Sequence, residues 1–142
     1  MKKILLSLKL ILFIVTLSTF SCSKFMATFD QAAYSQVTAL KVDALALMDK
    51  SSEDYTLHIT DVKAFQLELD KAIEYDKLRP NNDLTNKEWA VLIDPSQGLL
   101  GDFLAKWSKD GKLGAAYIAD KKKQIGDSID QIAGLEIKKL KQ

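Results

Sequence analysis

This chain has little with which to build a covalent or metal-held framework: one cysteine, one histidine and two prolines in 142 residues. A single cysteine excludes an intramolecular disulfide. One histidine beside it leaves too few ligands for a His/Cys zinc site. No Cys-x-x-Cys-His occurs for attached haem, and no Glu-x-x-His pair of the kind di-iron bundles use. A nucleophile elbow and a phosphate-cradling glycine loop are also missing. No cofactor or metal is therefore expected. Charge of one sign is lacking too, with 20 Lys and Arg against 19 Asp and Glu. The two signs interleave, apart from Lys121-Lys122-Lys123 and the tail Lys138, Lys139, Lys141, which gives no electrostatic footprint for nucleic acid. Sustained alternation and hairpin turns flanked by β-branched runs are absent, so strands are not expected.

What is present begins at the N-terminus, MKKILLSLKLILFIVTLSTFSC. Lys2 and Lys3 precede an apolar run from Ile4 to Phe20, broken by Lys9 and small hydroxyl residues, that ends at Ser21 and Cys22. That order is a bacterial secretory signal, and the lone cysteine at its end resembles the lipid-attachment cysteine of bacterial lipoproteins. Two other readings stay open. Seventeen apolar-run residues reach the lower edge of an uncleaved spanning anchor, about 17–25 residues. Ordinary cleavage would instead leave a free thiol. All three readings place the domain outside the cytoplasm. Removing residues 1–21 takes away Lys2, Lys3 and Lys9 and shifts the formal charge from +1 to −2. The 121 residues left suffice for one domain that buries roughly 65% of its unfolded surface.

The remainder reads as helices. Residues 22–27 form a short lipidated tether, at most about 20 Å long, and residues 28–142 form the domain. Asp30 is the first N-cap, with Phe29 and Tyr34 placed as a hydrophobic staple and Thr28 with Gln31 as a competing capping box. Tyr34, Val37, Leu40, Ala44, Leu47 and Met48 then draw one apolar stripe to about Lys50. Ser51-Ser52-Glu53-Asp54 signals the next start, and a helix over 52–78 carries Tyr55, Ile59, Val62, Phe65, Leu69, Ala72 and Ile73 until Pro80 stops it. Thr85-Asn86-Lys87-Glu88 is a capping box for a short helix with Trp89, Leu92 and Ile93. Asp94 as N-cap, Pro95 at N1 and Gln97 at N3 predict the next helix, through Leu99, Leu100, Phe103, Leu104 and Trp107, closed by Lys109-Asp110-Gly111. The last starts near Gly114 and carries Tyr117, Ile118, Ile125, Ile129, Ile132 and Leu135. The expected fold is all-α: an antiparallel bundle of about four helices, one bent at Asp94-Pro95.

Chemistry-bearing residues are few. His58 falls at the edge of the second helix's stripe, where a partly solvated histidine is the expectation; as a catalytic group it would need a carboxylate converging on it in a cleft. Pairing it with Met48 around a haem has no motif behind it. Asp61, Glu68, Asp70, Glu74 and Asp76 crowd one helix and read as a solvated face. The Trp89–Trp107 segment is the distinctive part. Gly98 and Gly101 lie early in a helix, where each costs up to about 1 kcal/mol relative to Ala, and a glycine kept there lets another backbone approach. Trp89 and Trp107 either cap the core or face a partner, since Trp concentrates binding energy.

This segment, with Thr85, Ile125, Ile132 and Leu135-Glu136, resembles a group of small bacterial lipoproteins with a Trp…Asp/Asn-Pro…Leu-Gly-x-Phe…Trp pattern. The resemblance implies a helical lipoprotein and transfers no functional residue. By resemblance to enterobacterial lipoproteins, Ser23 after Cys22 directs the protein to the periplasmic face of the outer membrane. The expected function is a non-catalytic envelope module held at a membrane through acyl chains on Cys22 and meeting an envelope protein partner. The alternatives are a carrier of a small apolar ligand inside the bundle and an enzyme assembled from residues distant in sequence.

Overall fold

The computed structural model describes residues 26–141. The signal segment, Cys22 and most of the tether lie outside the described residues. Five α-helices follow in chain order: α1 (Gln31–Asp49), α2 (Ile59–Lys77), α3 (Asp83–Ile93), α4 (Leu100–Asp110) and α5 (Ala115–Lys139). Among the described residues there is no strand, and no helix is long and apolar enough to cross a membrane.

Asp30 caps α1 as expected, accepting from the Ala32 and Ala33 amides at 2.8 and 3.0 Å. These amides also hold its carboxyl below the usual aspartate range, with the Tyr75 hydroxyl adding to the effect. The staple forms beside it, with the Phe29 and Tyr34 ring centroids 6.4 Å apart. The second helix departs from expectation. Lys50–Ser52 and Tyr55–Leu57 are 3-10 turns, and α2 begins only at Ile59. Asp54 caps the second of these turns through the Thr56 amide rather than opening a long helix. The cause is tertiary. The Tyr55 amide donates to the Gly111 carbonyl and the Leu113 amide to that of Ser51, so this backbone is committed to the α4–α5 connection.

The Thr85 capping box is also overridden. α3 starts three residues earlier, at Asp83 with Asn82 at the N-cap position, and Thr85 is buried inside it. At the bend, Asp94-Pro95 ends α3 but does not start α4. Asp94 accepts from the Ser96 amide in a turn, and Gly98 at φ +70° carries the chain through the left-handed region, which breaks helical continuity before Leu100. Gly101 does permit a close approach: a Cβ there would lie 2.0 Å from the Ile93 carbonyl oxygen. α3 and α4 are thus one bent member folded tightly on itself.

Helices α1, α2, α3 and α5 pack in a closed ring, each against its two neighbours, and α4 extends α3 beyond the bend. The direction of each follows from bonds at one end. The Asp30 amide at the start of α1 reaches Glu136 near the end of α5, Tyr75 near the end of α2 reaches Asp30, and Lys139 reaches Asn82 just before α3. Neighbours in the ring are therefore antiparallel. The core is continuous, built from Val37, Leu40 and Met48 of α1, Val62 and Phe65 of α2, Trp89 and Leu92 of α3, Phe103 and Trp107 of α4, and Ile125, Ile129 and Ile132 of α5. This is the helical bundle with one bent member that the periodicity predicts.

The bend supplies a test. Replacing Gly101 by Ala would gain up to about 1 kcal/mol of helix propensity. The added methyl meets backbone that cannot step aside, and overpacking of that kind costs about 1–3 kcal/mol. Gly101→Ala should therefore melt below the wild type; an unchanged or raised melting temperature would show that the bend is looser than described.

Candidate functional site

The chemically densest place in the molecule is the end of the bundle where α2 and α5 finish and α3 begins. Asp76, Arg79, Asn82, Thr85, Glu136 and Lys139 gather there, all of them buried except Arg79, whose side chain is largely enclosed. Arg79 Nη1 donates to Asp76 Oδ1 at 2.8 Å and also to Glu136 Oε1, while Nη2 donates to Glu136 Oε2 at 3.2 Å. Lys139 Nζ donates to Glu136 Oε1 and to Asn82 Oδ1, the latter at 2.7 Å. Asn82 Nδ2 bonds both the carbonyl and the carboxylate of Asp76, and Trp89 Nε1 donates to Asp76 Oδ2 at 2.7 Å. Two cations meet two anions, and every carboxylate oxygen of the pair Asp76 and Glu136 has a donor.

Burial of the Arg79 guanidinium works against its charge, but Glu136 and Asp76 more than offset this and raise its pKa. Burial likewise pushes the Glu136 carboxyl up, and the Arg79 and Lys139 hydrogen bonds reverse the effect and hold it below its ordinary value. A buried network satisfied to this degree has no group left over for acid–base work. What it does hold is the N-terminal segment. Arg79 Nη2 donates to the Thr28 carbonyl at 2.7 Å, the Asp30 amide donates to Glu136 Oε2 at 3.2 Å, and the Ala27 amide donates to the Asn81 carbonyl at 3.0 Å. The cluster is a latch that fixes where the chain enters the domain.

Asp76 corrects the reading of its helix's carboxylates as one solvated face: Glu68, Asp70 and Glu74 are exposed and Asp61 half-exposed, but Asp76 is interior. A signal was present. Positions 62, 65, 69, 72 and 76 keep one stripe on α2, and 125, 129, 132, 136 and 139 keep one on α5. Charged residues standing in register with an apolar stripe, one set per helix, mark facing interior positions.

Of the two tryptophans, neither offers its ring to a partner. Both are fully buried. Trp107 Nε1 donates to the Glu53 carbonyl at 3.1 Å, and its ring meets Tyr55 edge-on at 5.3 Å. The partner-facing alternative for Trp89 and Trp107 gives way to the core one because each indole N–H finds an acceptor inside the bundle. His58 lies against Trp107, with ring nitrogens 2.9 Å from Glu53 and 3.4 Å from Asp61 at the protein surface. Met48 is interior. Among the described residues, no three His, Cys, Asp or Glu side chains gather in a way that could hold a metal ion. A groove of about 580 Å³ runs between α2 and the α3–α4 bend, lined by Tyr55, Leu69, Ile93, Pro95, Leu100 and Leu104. It is partly open to solvent.

Compared with protein-family models, with curated proteins and with solved structures, the chain has no match.

Three substitutions test this geometry. Removing one member of a buried ion pair costs about 3–5 kcal/mol, so Glu136→Ala should lower stability by that order in a denaturant titration. The acid limb gives the sign. Since the folded Glu136 carboxyl lies below its ordinary 4.5, its contribution is complete above about pH 4.5 and is lost as pH falls through the folded value. The wild type should therefore lose more stability on acidification than Glu136→Ala, and parallel pH curves would refute the ionic latch. At the other end, Trp107→Ala should cost about 3–5 kcal/mol. Trp89→Phe leaves Asp76 Oδ2 without its donor and should cost about 1–3 kcal/mol. A Trp107→Ala melt within error of the wild type would place that ring outside the core, and an unchanged Trp89→Phe melt would show that the indole bond to Asp76 adds no stability.

Proposed function

We propose that this chain is a non-catalytic envelope lipoprotein, a helical interaction or accessory module held at a membrane surface by acyl chains on Cys22. The observation that carries the reading is the use made of the buried charges. The densest polar cluster in the domain is spent on gripping residues 27–30, the stretch that follows the tether. An anchored module needs that junction firm, because the direction in which the tether leaves decides which face meets the membrane. The signal-like segment ending in Ser21-Cys22 supplies the anchor, and a periplasm-facing position at the outer membrane suits Ser23.

Two acyl chains anchor stably, whereas one alone is marginal, with an association constant of about 10⁴ M⁻¹. Cys22→Ser should therefore move the protein from the membrane to the soluble fraction and abolish the mass increment of the lipid. A mutant that keeps the membrane fraction at full-length mass would establish an uncleaved anchor instead.

A further inference from the structure

We infer that the latch end of the bundle lies on the lipid surface itself, with Leu78, Leu84, Ile137 and Leu140 entering the interfacial layer of the bilayer. This rests on the membrane-anchored reading above and adds which surface makes the contact. Leu78 is 85% exposed and Leu140 60%, and Leu84 and Ile137 are exposed as well. They share one end because the elements carrying them are tied together there. Leu78 adjoins Arg79, which holds Glu136; Leu84 is in the first turn of α3; Leu140 follows Lys139, which holds Asn82. Four large aliphatic side chains around the ends of three helices form the kind of apolar tip that interfacial proteins bury at the headgroup boundary.

The occupant follows from where the chain enters. Ala27 and Thr28 are bonded to Asn81 and Arg79 at this same end. Ala27 is five positions after Cys22, a reach of at most about 18 Å. An acyl group on Cys22 therefore brings the bilayer to the leucines of this end before any other part of the domain. Lys77, Lys138 and Lys141 stand around the tip, with Glu74 and Asp83 among them. The apolar side chains rather than net charge thus select a lipid surface. The opposite end of α2 carries its own exposed leucine, Leu57, at 72%. It is separated from Leu78 by the 19 residues of α2, close to 30 Å at about 1.5 Å per residue.

The full-length lipidated protein, reconstituted in phosphatidylethanolamine–phosphatidylglycerol vesicles that carry a nitroxide near the lipid headgroup, tests this. Leu78→Cys, Leu140→Cys and Leu57→Cys each receive a thiol-reactive fluorophore, with wild type reporting any labelling of Cys22. All three sites are exposed, and a helical circular dichroism spectrum checks each variant. Bound protein should show several-fold stronger quenching at positions 78 and 140 than at 57. Vesicle-bound protein with equal quenching at all three, or with position 57 quenched most, overturns the inference and leaves the anchored reading standing. Labels at 78 and 140 that are shielded from water but unquenched by lipid show that protein covers the tip, which also overturns it. Failure of the full chain to bind vesicles removes the anchored reading, and the inference with it.

Discussion

The pairing of Arg79 with Glu136 sets the placement of nearly everything else at one end of the bundle. Arg79 belongs to the connection after α2, and Glu136 to the last turns of α5. Taking either charge out of water alone would cost several kcal/mol, so neither helix end can stay buried without the other. Asp76 and Lys139 complete the neutralisation, and Asn82 and Trp89 satisfy the remaining lone pairs from the loop and from α3. Three chain segments that hydrophobic burial alone would let slide are thereby held in one register. Apolar stripes specify which faces meet; the charges specify how far along they meet.

Much of the fold could be read from sequence because the signals were local and uncontested. Asp30 caps α1 using only its own following amides, Gly111 closes α4, and Gly114 precedes α5 where expected. The stripes of α1, α2 and α5 emerged as core with few exceptions. Asp54 and Thr85 each carry a proper start signal, yet tertiary bonds had already claimed the backbone or side chain concerned; Asp94 fails locally, its carboxylate bonded to the Ser96 amide in a turn and the helix broken at Gly98. Ser51 and Tyr55 pair with the loop after α4, and Thr85 sits beside the Lys139 ammonium. A helix cap is worth about 1 kcal/mol, which a buried charge left unsatisfied outweighs.

The latch was the less legible part, for a different reason. Apolar periodicity alone ends each stripe where the apolar residues end. On α2 and α5 the stripe runs on through Asp76, Glu136 and Lys139. Register with the stripe marks these positions as facing inward, but it does not say what neutralises their charges. That needs the partner, and Arg79 lies 57 residues from Glu136 along the chain. The tryptophans show the same dependence. An indole is an anchor on a surface and a wedge in a core, and the acceptors that settle the matter, Asp76 and the Glu53 carbonyl, are contributed by other segments.

Replacing a buried ionic cluster by apolar side chains of similar volume is often neutral or stabilising. A four-helix ring with a continuous apolar core does not need one for stability. Its presence at the chain's point of entry, and not midway along the bundle, therefore calls for a reason other than stability. An apolar plug there could bury α2 against α5, but it could not hold residues 28 and 30 by their backbone, because a backbone carbonyl and amide require a donor and an acceptor. Arg79 supplies the donor to Thr28 and Glu136 the acceptor to Asp30. Each can reach outward only because its charge is neutralised inward. The cluster is thus what a bundle requires if its N-terminal segment must leave in a fixed direction beside the exposed leucines of the same end.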